Sequence, residues 1–316
     1  MKKITIMLLL LGIVACSDDE KATDIYLGEF TNGAFLRTVE YPKMGLDISN
    51  LNDMVRLTLE EQDIEDGGLI DNVSLEVRFI DRTPDSGTTS TSFMPLATLE
   101  PNSFSTGPFG LPRVTVDFSL ESLLNAVQLS QSNVNVKDQF EIRLLLTLTD
   151  GRSFGRDNSS YCIRGFKGFY SAPFGYIVTL IEPIEDELFT GTYVYSSILD
   201  GIQGPVFGPS HEVEITNGEF PNEREILFQD VLGIYTGRLK TFQFMVGGDE
   251  VFWRNNQIKT LLFRYCGPIG QPILLFPAEE NATINLKDDS VFEIWIEEDF
   301  WDDIPSTPTR IQFTKQ

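Results

Sequence analysis

Near its carboxy-terminal end the chain reads Phe292-Glu293-Ile294-Trp295-Ile296-Glu297-Glu298-Asp299-Phe300-Trp301, tryptophans set among carboxylates. On a strand, whose side chains alternate with a period of two, Glu293, Trp295 and Glu297 share one face while Phe292, Ile294 and Ile296 face a core. Two carboxylates are all that glycoside hydrolysis needs, one to donate a proton and one to act as nucleophile or base. Glu293 and Glu297, however, start about 13 Å apart at ~3.3 Å per residue, beyond the roughly 5–10 Å span that hydrolysis uses. Binding is the better use of this face. Trp295 and Trp301 would stack on a sugar ring, and Glu293, Glu297 and Asp299 would accept hydrogen bonds from its hydroxyls. Trp253, after the Gly247-Gly248 turn, is a third candidate. Against all three stands the ordinary fate of tryptophan in β domains, which is core packing.

Other chemistries find less to work with. His211 is the only histidine, so motifs that need paired histidines for zinc are excluded, and no Gly-x-Ser-x-Gly elbow accompanies it. Its neighbours Pro209 and Ser210 point to a surface or loop position. Phosphate-binding loops and dinucleotide glycine fingerprints are absent from the sequence. Asp63-Ile64-Glu65-Asp66-Gly67, and Asp299 with Asp302 and Asp303, are acid clusters of the kind that could hold calcium, but they lack the spaced ligand pattern and read first as solvated acidic surface. Besides Cys16, the cysteines are Cys162 and Cys266. In an oxidising compartment these could form a bridge closing a loop of about 100 residues, which would contribute up to ~4.7 kcal/mol, or they could be two separate buried thiols. No cofactor is expected.

The amino terminus carries an address. Lys2 and Lys3 precede a run from Ile4 to Val14 broken only by Thr5 and Gly12. That is the pattern of a secretory signal, and it is too short to span a bilayer, which takes about 20 apolar residues. Ile13-Val14-Ala15-Cys16 resembles the bacterial lipobox. The resemblance implies removal of residues 1–15 and acylation of Cys16, with palmitate-type chains anchoring a soluble body to a membrane. Each buried methylene contributes ~0.8 kcal/mol and one chain holds only marginally, so stable anchoring needs several. Asp18, Asp19 and Glu20 resemble the acidic tag that sends lipoproteins of Bacteroidota-type bacteria to the outer face of the outer membrane. They would also serve as a solvated tether over residues 16–24.

The elements that must position these groups are mainly β. Alternation is clear at Val73, Leu75, Val77 and Phe79, at Val114, Val116 and Phe118, and at Phe140, Ile142, Leu144, Leu146 and Leu148. Asp150-Gly151 marks a hairpin whose return begins near Phe154. Leu120, Leu123, Leu124 and Val127 fall at helical spacing behind a capping Ser119, one short helix covering a sheet opening. Glu182-Pro183-Ile184-Glu185-Asp186-Glu187 reads as a linker between residues 25–181 and 188–316. The second part is a meander of strands near Tyr193, 213–215, 242–246, 251–253, 258–263, 292–296 and 310–313. No 20- to 50-residue period repeats, which excludes propellers and solenoids. The expected fold is all-β with two domains, the first an immunoglobulin-like sandwich, the second a sandwich or a small barrel.

Charge bounds the partners. The 316 residues carry a formal net charge of -23. Such a field repels phosphate backbones and anionic lipid, so no nucleic-acid partner is expected. It suits neutral or cationic ligands better than acidic polysaccharides, although a local patch can override it.

A series of short segments in fixed order carries a further resemblance: Gly33-Ala34-Phe35-Leu36-Arg37-Thr38, Phe79-Ile80-Asp81-Arg82-Thr83-Pro84-Asp85, Gly110-Leu111-Pro112-Arg113, Asp138-Gln139-Phe140-Glu141-Ile142-Arg143, Thr149-Asp150-Gly151-Arg152-Ser153-Phe154 and Ser171-Ala172-Pro173-Phe174-Gly175-Tyr176, then Phe189-Thr190-Gly191-Thr192-Tyr193. This resembles the accessory surface lipoproteins of SusC/SusD-type uptake systems, although the cysteine usual near the end of the first domain's last strand is missing after Tyr176. The resemblance implies a role beside a TonB-dependent transporter in capturing a glycan or peptide, and it offers no catalytic residues. The expectation is a non-enzymatic binding or scaffolding lipoprotein. The alternatives are a hydrolase with paired carboxylates from different strands, or a purely structural subunit of the uptake complex. Asp289-Ser290-Val291 also resembles the short O-glycosylation acceptor of Bacteroidota secreted proteins.

Overall fold

The structure, a computed structural model, describes residues 33–84, 87–159, 161–165, 170–202, 204–229, 239–255, 257–261, 272–299 and 306–316. The first 32 residues, with Cys16 and the acidic tag, lie outside the described residues, as do Cys266, Trp301, Asp302 and Asp303.

The alternating runs become two facing sheets. One holds β1 (Phe35–Glu40), β3 (Met54–Gln62), β7 (Pro112–Ser119) and β6 (Ser105–Thr106), in that order. The other runs β2 (Gly45–Asp47), β10 (Gly175–Ile181), β8 (Gln139–Leu148), β4 (Ile70–Ile80) and β5 (Met94–Leu99), with β9 (Ser153–Gly155) paired to β8. Among the described residues of this sandwich, only the β2–β10 pair is parallel. The order follows the immunoglobulin scheme, with β1-β3-β7-β6 as one sheet and β10-β8-β4 at the heart of the other. Val73, Leu75, Val77 and Phe79 meet Phe140, Ile142, Leu144 and Leu146 across the β4–β8 ladder, and all are buried. The expected hairpin is present: Gly151 adopts φ 85°, which favours glycine, and Phe154 pairs with Leu146.

The predicted helix is α1 (Leu120–Ala126), between β7 and β8. Ser119 Oγ accepts from the Ser122 N–H at 3.1 Å, and Leu120, Leu123, Leu124 and Val127 are buried. Burying each leucine stabilises by roughly 1.5–3 kcal/mol, against about 1 kcal/mol for the cap, so packing holds this helix more than capping does. A second helical turn, α2 (Tyr161–Arg164), carries Cys162.

The second β body is one curled antiparallel sheet. Its strands are β11 (Gly191–Leu199), β12 (His211–Asn217), β13 (Glu223–Gln229), β14 (Leu239–Gly247), β15 (Glu250–Trp253), β16 (Gln257–Leu261), β17 (Pro272–Pro277), β18 (Val291–Asp299) and β19 (Thr307–Lys315). They are ordered β15-β14-β13-β12-β11-β19-β18-β17-β16. β15 comes back against β18 and β17, so the sheet nearly closes, and of the two expected forms it is nearer the barrel. Aromatics fill it: Phe207 stacks on Phe228 at 3.8 Å, and Phe292 stacks on Phe313 at 5.0 Å.

The stretch expected to be a linker is tied down. Asn222 donates to the Glu182 carbonyl and accepts from the Ile184 N–H, while the buried Arg224 donates to the Leu188 and Glu185 carbonyls. Met44 and Ile181 from the sandwich form a small apolar cluster with Met245 and Phe252 from the barrel. Residues Ala34–Gln316 make one compact unit.

Candidate ligand-binding site

Strand β18 follows the predicted alternation. Phe292, Ile294 and Ile296 are buried, and Glu293, Trp295 and Glu297 are half-buried on the opposite face. These groups are already engaged with one another. Trp295 Nε1 donates to Glu293 Oε2 at 2.8 Å, and the Arg310 guanidinium, paired across from Trp295 on β19, sits 4.0 Å from its ring centroid. Glu297 accepts from the Ser306 hydroxyl. One ring face and the indole N–H are thus occupied, which leaves a smaller platform than the sequence suggests.

Trp253 is not part of that platform, and the expectation of an exposed ring there is corrected. It is 2% exposed, stacked on Phe242 at 5.7 Å and near Phe207 at 6.5 Å. The physical reason is register: β15 pairs with β14 so that Trp253 lies opposite Phe244 and turns into the barrel.

The remaining sequence candidates have structural occupations. Asp63 accepts the N–H groups of Glu65, Gly67 and Leu69, closing a turn in which Gly67 adopts φ 88°. No group of three or more His, Cys, Asp or Glu side chains among the described residues is arranged to hold a metal ion. His211 lies at the start of β12, packed on Tyr195 and Phe228, with Nδ1 2.7 Å from the Pro209 carbonyl rather than a serine or carboxylate. Asp289 accepts from Phe189 N–H, the Tyr193 hydroxyl and Lys315 Nζ. Burial pushes its carboxyl up, but these partners outweigh burial and hold it below the usual range.

A concavity lies where the sandwich meets the barrel, a cavity of about 280 Å³. Its walls come from the segment before β2 (Tyr41, Pro42), from β8 and β10 (Gln139, Tyr176), from β15 and its sequel (Phe252, Trp253, Arg254), and from the residues after β17. Arg254 Nη1 donates to the Pro42 carbonyl and Nη2 to Glu223 Oε1, both at 3.1 Å. Glu223 also accepts the Met44 N–H at 2.7 Å. Burial pushes the Glu223 carboxyl up and the Arg254 guanidinium down, while their mutual attraction opposes both. Trp253 Nε1 and Arg82 Nε, on residues of this wall, have no hydrogen-bond partner among the described residues. Buried donors without partners cost about 1–3 kcal/mol each and call for an explanation. The groups assembled here are aromatic faces, hydrogen-bond donors and cations, whose chemistry is recognition. Sequence reasoning missed the cavity, since its wall is drawn from distant segments; the adjacent Trp253-Arg254 pair was the one linear hint.

Compared with known proteins, the chain matches no protein family and no curated sequence.

Proposed function

We propose that this chain is a lipid-anchored lipoprotein on the outer surface of an outer membrane. It binds a nutrient or scaffolds its capture beside a SusC/SusD-type transporter, without catalysing a reaction of its own. The lipobox at Cys16, the acids after it and the ordered segments quoted above support the location and the system. The observation that carries the binding role is the cavity between sandwich and barrel, lined by aromatic residues and by arginines. The partnered Trp295 face is a secondary contact surface.

A glycan and oligopeptide binding screen on the full chain, with product analysis of the same mixtures, tests the reading. One ligand class should be retained uncleaved, and Phe252→Ala should weaken retention more than Trp295→Ala. Cleaved product would replace the binder with a hydrolase. A protein that neither binds nor cuts, yet co-purifies with a transporter from outer membranes, would be a structural subunit.

A further inference from the structure

The cavity differs in charge from the chain that builds it. Among its lining residues are three arginines, Arg82, Arg164 and Arg254, and a single carboxylate residue, Glu279, which is exposed. The whole chain carries -23. Two acids stand behind this wall, and each has more than one cation or donor to serve. Glu250 lies 3.5 Å from Arg82, a weak pairing, and the same carboxylate takes Lys137 at 3.1 Å and Asn281 at 2.9 Å. Glu223 serves Arg254 and also the Met44 N–H. Three guanidinium groups on one lining give a carboxylate entering from solvent a local concentration of positive charge that the acidic chain as a whole does not offer. Guanidinium groups match a carboxylate with paired, charge-assisted N–H donors, roughly twice as strong as neutral ones. Apolar residues share this lining, Phe252, Pro42 and Pro277 among them, and the Arg82 guanidinium lies 5.7 Å from the Phe252 ring centroid.

We propose that the cavity takes a small carboxylate-bearing ligand with an apolar or ring face, its carboxylate set among Arg82, Arg164 and Arg254 and its ring against Phe252. This rests on the binding role proposed above and narrows its ligand class, reversing the preference for neutral or cationic ligands that net charge alone gives. A sugar acid and a peptide carboxylate share this chemistry.

Calorimetric titration of the full chain with matched pairs decides the matter: galacturonic acid against its methyl ester, and N-acetylphenylalanine against its amide. The acid of one pair should bind at least about tenfold more tightly than its neutral partner, and that pair identifies the source. Arg82→Gln should remove most of that difference. Ala278→Trp, which puts bulk into the cavity and keeps all three arginines, should abolish binding in a protein that unfolds at an unchanged temperature. Equal binding of acid and neutral partner, or acid binding that survives Ala278→Trp, would overturn the carboxylate assignment and leave the binding role standing. The same holds if all four probes fail while the wider screen yields a ligand. Silence in both would remove the binding role itself.

Discussion

Two adjacent glutamates on β3 show how strand alternation decides the fate of a charge. Glu60 faces outward under Arg37 and Arg113, which both bond its carboxylate, and it is 1% exposed. Glu61 faces the sandwich core on the side of Leu57 and Leu59, is 0% exposed, and neither of its oxygens has a partner among the described residues. Burial, then the nearby charge of Asp63, push the Glu61 carboxyl up to about 8. An unfolded glutamate titrates near ~4.3, so the folded state holds this proton more tightly than the unfolded one. The associated stability is full below about pH 4.3 and is lost as pH rises through about 8. Glu61→Gln, which cannot ionise, should therefore unfold at higher urea than the parent at pH 8, by about 1–3 kcal/mol, with the gap closing toward pH 5. Parallel pH profiles for the two proteins would show that Glu61 reaches solvent.

At the scale of elements, α1 offers a comparison of forces. Ser119→Ala removes one cap and should cost about 1 kcal/mol, whereas Leu123→Ala empties a fully buried site and should cost about 2–5 kcal/mol. Chemical denaturation of both variants checks the order, and a costlier cap would mean that the helix is held locally rather than by the core. This element was legible in the sequence because its signals are local: four apolar positions at helical spacing and a serine in front. The strands of the sandwich were legible for the same reason. β13 and β17 were not. β13 hides its period behind Arg224, a charged residue that turns inward because the carbonyls of the segment before β11 receive it. β17 is bounded by Pro272 and Pro277, which read as breakers but stand at the ends of the strand, where proline is tolerated. Barrel closure was beyond reach, because the order inserts β19 between β11 and β18, a pairing of distant segments that no local period encodes. The cavity was hidden by the same non-locality.

At the scale of the molecule, the seam between sandwich and barrel decides whether the cavity exists. Lys137 reaches Asp249 and Glu250, but exposed pairs of this kind contribute at most about 1 kcal/mol. The apolar cluster of Met44, Ile181, Met245 and Phe252 weighs more, and Gly45 sits against it on β2. A Cβ at Gly45 would come within 2.6 Å of Ile181 Cδ1 and 2.8 Å of Met245 Sδ. Both atoms lie near the ends of side chains that can shift, so alanine has some room and valine has less. Gly45→Val should destabilise the protein by about 1–3 kcal/mol through overpacking. Because Met44 and Phe252 also line the cavity, the cost should appear at the seam first. If the parent unfolds in a single urea transition, the variant's should broaden or split into two steps, with the sandwich and barrel cores melting apart. Ligand affinity should fall in the same variant, since a displaced Phe252 takes one wall of the site with it. A variant that keeps one sharp transition and full affinity would place the strength of the seam in its polar contacts, and Asn222, which ties Glu182 and Ile184 to the barrel, would be the residue to change next.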